Sequence, residues 1–135
     1  MYKRQELDIV SKVDVPSADI RIYSNGIMHI HIKVRNTFEL SNSMEIVEAR
    51  TKLAEGKKYP VLYSTEHSFV TPSKEVNSYV ASEERSKLVL ADAFIMKSLP
   101  QRLAARTYML FKGPVRPTQF FSNEVDAIEW LKTFL

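Results

Sequence analysis

The sequence predicts a single-domain α/β protein: a mixed β-sheet that opens with an antiparallel hairpin and continues through βαβ units, with helices packed on it, in the order ββαβαβαβα. Three observations predict it. In residues 18–34 apolar and polar residues alternate on both sides of Asn25-Gly26, the pattern of two half-buried strands joined by a turn. Further along, the short apolar runs 59–64, 93–96 and 118–121 read as interior strands. Between these runs lie helix starts and stops, and strands separated by helices need crossovers that pair them in parallel.

The hairpin fixes its own register. Ile20 and Ile22 alternate with Asp19 and Arg21, and Met28, Ile30, Ile32 and Val34 alternate with His29, His31 and Lys33. A two-residue turn at Asn25-Gly26 would set Ile22 against His29 and mix the two faces. A three-residue loop, Ser24-Asn25-Gly26 with Gly26 left-handed, instead pairs Ile22 with Met28, Ile20 with Ile30, Arg21 with His29 and Asp19 with His31. Residues 1–17 form an N-terminal extension in which Leu7, Ile9, Val13 and Val15 offer an edge strand ended by Pro16.

The helices follow from their caps. Ser41 opens one that runs to about Ala54, with Met44, Val47, Thr51 and Ala54 on one side, Ile46, Arg50 and Leu53 beside them, and the charged residues toward water; Gly56 stops it. Thr71-Pro72 reads as a cap plus first helical residue, opening a helix through Val76, Tyr79 and Val80 that restarts at Ser82 and runs toward Leu88. Pro100 opens a helix carrying Leu103, Tyr108, Leu110 and Phe111 until Gly113-Pro114 breaks it. Asn123 caps a last helix with Val125, Ile128, Trp130 and Leu131 inward.

Composition narrows the class. A chain of 135 residues, 44% hydrophobic and without cysteine, can bury roughly two thirds of its unfolded surface around one core with no disulfide or metal staple. Disordered, collagen-like and disulfide-scaffold readings fall away. The net charge of +3 is too mild to imply nucleic acid, so no specific nucleic-acid partner is expected. Its placement is uneven: residues 93–123 hold Lys97, Arg102, Arg106, Lys112 and Arg116 and no acid. Acidic residues follow the first cations, so no secretory signal begins at Met1. The longest apolar tract, 88–96, contains Asp92 and is far short of the ~20 residues that span a bilayer. A cytoplasmic location is the expectation.

Chemistry-bearing residues are few. His29 and His31 project from one strand face with Asp19 across the hairpin, a partial metal-ligand set, but Arg21 opposite His29 repels a cation and no fourth ligand is near; no metal or cofactor is expected. Glu66-His67-Ser68 contains acid, base and nucleophile types, yet adjacent side chains diverge, and no catalytic residue is assigned. The three glycines read as turns or stops rather than a phosphate loop. Ser98, Arg102 and Arg106 form the candidate anion site: Ser98 follows a strand, and a cation in the first turn of the next helix opposes the dipole unless something negative lies nearby.

The element order resembles a known group, together with Ala91-Asp92-Ala93-Phe94-Ile95-Met96-Lys97-Ser98, Pro100-Gln101-Arg102, Lys112-Gly113-Pro114, Pro117-Thr118-Gln119-Phe120-Phe121 and Asp126-Ala127-Ile128-Glu129-Trp130-Leu131. The group is that of small bacterial STAS-like or CRAL-TRIO-like domain proteins of unassigned function, and the resemblance covers 18–131. STAS domains include regulators phosphorylated on a Ser at a helix start; CRAL-TRIO domains carry lipids. The resemblance lays Thr71-Pro72-Ser73 where an Asp-Ser-Ser stretch is usual, with Pro72 on the phosphorylated position. Thr71 and Ser73 are then the candidate phospho-regulatory residues, since a phosphate on either would lie by a helix N-terminus. The function expected is a noncatalytic regulatory or protein-interaction module. The alternative is a small carrier or sensor of an anionic or lipid-like ligand. A protein partner is expected, and a homo-oligomer is left open.

Overall fold

The computed structural model describes residues 8–67, 69–70, 88–103 and 116–135. Strands β1 (Ile9–Val15), β2 (Ala18–Tyr23) and β3 (Met28–Ile32) come first, followed by β4 (Asn36–Thr37) and α1 (Leu40–Ala54). Then come β5 (Tyr59–Thr65), β6 (Phe69–Val70), β7 (Val89–Ile95), β8 (Thr118–Phe121) and α2 (Glu124–Lys132). Six strands form one sheet in the order β1-β2-β3-β5-β7-β8, and β4 with β6 forms a separate parallel pair. The first three strands are antiparallel; β3, β5, β7 and β8 are mutually parallel. This is the mixed α/β sheet expected from the sequence.

The hairpin register is the one alternation demands: Ile22 faces Met28, Ile20 faces Ile30, Arg21 faces His29 and Asp19 faces His31. The loop closes through Tyr23 N–H to Ile27 O at 3.0 Å, and Gly26 takes φ +89°, a conformation an L side chain rarely adopts. Leu135 also leaves little room there, since a β-carbon at Gly26 would lie 3.0 Å from its side chain.

Period two gives the sheet two different faces. On one, Ile20, Ile30, Ile32, Val61 and Tyr63 pack with Ile46 and Ala54 of α1. Tyr63, Phe94 and Phe120 stack across three parallel strands, with ring centroids 4.6 and 5.5 Å apart. On the other face, Leu62, Ala91 and Ala93 receive Ala127, Ile128 and Leu131 of α2. Small residues on β7 give that helix room to approach.

Several details depart from expectation. Glu39 rather than Ser41 is the N-cap of α1, in a reciprocal capping box with Asn42. The buried side of α1 is Ser43, Ile46, Arg50 and Ala54, whereas Met44 and Thr51 face water. The i, i+4 stripe from Ile46 through Arg50 to Ala54 brings the Arg50 stem inward with its apolar neighbours. The N-cap end of the same helix is tethered to the β1–β2 turn. There Asn42 Nδ2 donates to Ser17 Oγ (3.1 Å), and Ser17 N–H donates to Glu45 Oε1 (2.9 Å). In α2 Asn123 caps as expected, accepting from Asp126 N–H at 2.9 Å, but Val125 is exposed. Strand β7 begins at Val89, four residues before the apolar run at 93–96. The expected helix opening at Thr71-Pro72 and the part of the Pro100 helix beyond Leu103 lie outside the described residues.

Candidate functional site

The sheet face that receives α2 changes character toward β2 and β3. There the alternate positions are Arg21, His29, His31 and Asp19, and the neighbouring strand adds Ser64, which the parallel register sets opposite His31. Ser64 Oγ lies 2.7 Å from His29 Nε2 and 2.8 Å from His31 Nδ1. The far nitrogen of His29, Nδ1, lies 3.2 Å from the Tyr23 hydroxyl. Tyr23 and His29 are buried; Ser64 and His31 are half-buried. Four side chains from three strands thus form one hydrogen-bonded chain, Tyr23–His29–Ser64–His31.

Proton counting orders it. The Ser64 hydroxyl has one hydrogen, so with both imidazoles neutral one accepts from it and the other donates to it. A phenol donates to an imidazole nitrogen more readily than it accepts from one, which assigns Tyr23 O–H to His29 Nδ1. His29 Nε2–H then donates to Ser64 Oγ, and Ser64 O–H donates to His31 Nδ1. Both rings are assigned the Nε2–H tautomer.

Charges border the chain on the β1 side. Lys33 Nζ lies 2.7 Å from Asp19 Oδ1, and Arg21 reaches Asp14 at 4.0 Å. The Lys33 hydrogen bond holds the Asp19 carboxyl below its usual range, and Asp19 in turn raises the Lys33 ammonium. Asp19 is therefore an anion at neutral pH, directly across the hairpin from His31.

The residues expected to carry chemistry are placed as follows. Among the described residues, no group of three or more His, Asp or Glu side chains is arranged to hold a metal. His67 Nε2 lies 3.2 Å from Glu66 Oε2, and Ser68 is outside the described residues. Ser98 Oγ accepts from Gln101 N–H at 3.4 Å, a long cap contact. Arg102 Nη1 donates to Met96 O (2.7 Å) and Lys97 O (3.1 Å), tying the helical turn at 99–103 to the end of β7. Arg106, Thr71 and Ser73 lie outside the described residues.

Two groupings escape the sequence. Ser64 joins the histidines only once β3 and β5 pair, 33 and 35 residues apart in the chain. Asp92, buried in the face shared with Val61 and Thr118, forms an ion pair with Arg116. The signal for it was an acid inside an apolar run.

Sheet order, mixed pairing and helices on both faces define a STAS-like α/β module, of the kind also called SpoIIAA-like. A solved structure shares the arrangement: an uncharacterised protein of the DUF3478 family with a SpoIIAA-like fold from Shewanella loihica PV-4, at a TM-score of 0.52 and 14% identity over 93% of each chain. The chain itself belongs to the DUF7793 family, a domain of unknown function whose model matches residues 20–135. No curated protein matches it. No helix among the described residues is long and apolar enough to cross a membrane.

Proposed function

We propose that this chain is a noncatalytic regulatory or protein-interaction module whose partner is a protein. The observation that carries the reading is an apolar pair on the helical turn after β7. Leu99 and Leu103, one turn apart, are 56% and 52% exposed. Apolar side chains held outward together on a helix are a common contact surface for a partner. Exposed Lys97 stands beside them, in the segment 93–123 that holds five basic residues and no acid. The partner that fits is therefore a protein surface with an apolar centre and an acidic rim. The SpoIIAA-like fold supports a module of this kind by analogy of architecture only.

Arg102 has a supporting role at this surface. Its two hydrogen bonds to the Met96 and Lys97 carbonyls, just after β7, hold the turn that presents both leucines. Ser98 and Arg102, with Arg106, remain the residues proposed for an anionic group, which on this reading is an acidic side chain of the partner. Thr71 and Ser73 remain the proposed phospho-regulatory residues. The carrier alternative, from the CRAL-TRIO side of the resemblance, needs an enclosed ligand in place of a protein.

A photo-crosslinking residue at Leu99, used in the cell that makes the protein, tests the reading. The expected result is a stoichiometric crosslink to one protein, lost in Leu103→Asp while the thermal midpoint is unchanged. Crosslinking that ignores Leu103→Asp, or none, overturns it. A small anionic or lipid-like molecule retained in native mass spectrometry would instead favour the carrier.

A further inference from the structure

We propose that Ser64 is a reactive hydroxyl, an acceptor for the acyl group of an activated carboxylic ester, with His31 as its base and Tyr23 and His29 as positioning residues. This is separate from the Leu99–Leu103 surface and needs no turnover: one acyl group per chain suffices, so it is compatible with a module that is not an enzyme.

Geometry carries the proposal. A serine becomes a nucleophile when a base lies within hydrogen-bond reach and its surroundings are held in place by a further group. Ser64 Oγ has two imidazole nitrogens within 2.8 Å, and the inner imidazole is fixed by the Tyr23 hydroxyl at 3.2 Å. An isolated strand serine needs no such arrangement, since one contact satisfies its hydroxyl.

The tautomer order decides which ring does what. His29 donates to Ser64 Oγ and so cannot take its proton; it aims the oxygen. His31 Nδ1 already accepts the Ser64 hydrogen, and His31 is the more exposed of the two rings. On attack, the Ser64 Oγ–carbonyl bond forms, the ester C–O bond breaks, and the Ser64 proton passes to His31 Nδ1. The leaving alkoxide or phenoxide departs with the bond pair and takes a proton from solvent or from His31. The imidazolium that forms on His31 stands across the hairpin from Asp19, where directly opposed side chains come within about 5 Å at their β-carbons.

A fluorophosphonate probe tests this directly: Ser64 Oγ bonds to phosphorus, fluoride leaves, and the proton goes to His31. Intact-mass and peptide mapping of the folded protein should place one adduct on Ser64. The labelling rate should rise with pH to a plateau, because only a base that has lost its proton can accept one. Ser64→Ala should abolish the adduct and His31→Gln should slow it by about 10²-fold, the usual contribution of a general base. His29→Gln should slow it less without moving the pH midpoint, as a positioning residue does. The proposal is overturned if folded protein gives no Ser64 adduct, if urea-unfolded chain labels Ser64 as fast, or if His31→Gln labels at the wild-type rate. Should His31→Gln fail to fold, the wild-type pH profile decides, and a flat one overturns the proposal.

Discussion

The two faces of strands β2, β3 and β5 are built from the same stretches of chain and do opposite things. Under α1 the residues are Ile20, Ile30, Ile32, Val61 and Tyr63, close-packed and buried. One residue along each strand, the other face presents Arg21 beside His29, His31 and Ser64, the last three held by directional hydrogen bonds. The first face is stable because apolar area leaves water, a non-directional term that tolerates exchange of one aliphatic residue for another. The second face depends on proton direction, and a single lost atom leaves a partner unsatisfied. Strand period therefore lets a small sheet separate folding from chemistry with no added length.

Asp92 sharpens the contrast because it places a charge on the apolar face. Asp92→Ala leaves the Arg116 guanidinium without this anion in a buried setting, and should cost about 3–5 kcal/mol in urea unfolding. A loss under about 1 kcal/mol would mean that the face tolerates polarity as well as its opposite does. Next, Ile30→Ala removes a fully buried side chain from the centre of the same face. It should cost about 2–5 kcal/mol with an unchanged denaturant slope.

On the polar face, Ser64→Ala should cost about 1–3 kcal/mol, because two imidazoles lose a shared partner. Nitrogen-15 spectra report more than the stability here. They should show both rings as Nε2–H tautomers in the wild type and His31 altered more than His29 in the variant. If Ser64→Ala proves as costly as Ile30→Ala, the division between the faces is wrong.

The smallest effect belongs to Lys33→Met, on a half-buried, solvent-screened pair, and it is read from pH dependence. The depressed Asp19 carboxyl contributes stability above the ordinary carboxylate range, and this is lost as pH falls through the lower folded value. The raised Lys33 contributes below the ordinary lysine value, and that is lost as pH rises through the raised one. The wild type should thus exceed Lys33→Met by a small constant margin near neutrality. The margin should shrink in acid below about pH 4 and again in strong alkali, as followed by urea midpoints.

The parts of the molecule legible in the sequence are those set by local pattern. Alternation around Ser24-Asn25-Gly26 determined the β2–β3 register to the residue, and Asn123 marked the start of α2. The parallel order of the later strands followed from the helices that the sequence predicts between them. The buried side of α1 was legible in part: Ile46, Arg50 and Ala54 lie on or beside the side the pattern marked. Ser43, however, is buried and Met44 faces water, so polarity misdirects the helical period in the first turns. Strands β4 and β6 contain two residues each, too few for any period to show. The candidate site was half legible. His29 and His31 stood out as a same-face pair, but Ser64 looked like the end of an apolar strand, and only long-range pairing brings it between them. The acid-base-nucleophile run at Glu66-His67-Ser68 lay close by in sequence, while the serine that meets imidazoles is four residues earlier.

The ring stack of Tyr63, Phe94 and Phe120 bears on how faithfully the chain assembles. Sliding β7 by a single position would turn Phe94 toward α2, into the space that Ala91 and Ala93 leave for Ala127. It would also swing Asp92 away from Arg116. One-residue slips of the parallel half are thereby disfavoured on volume and on charge together, so the stack acts as a check on which face each strand turns to the core.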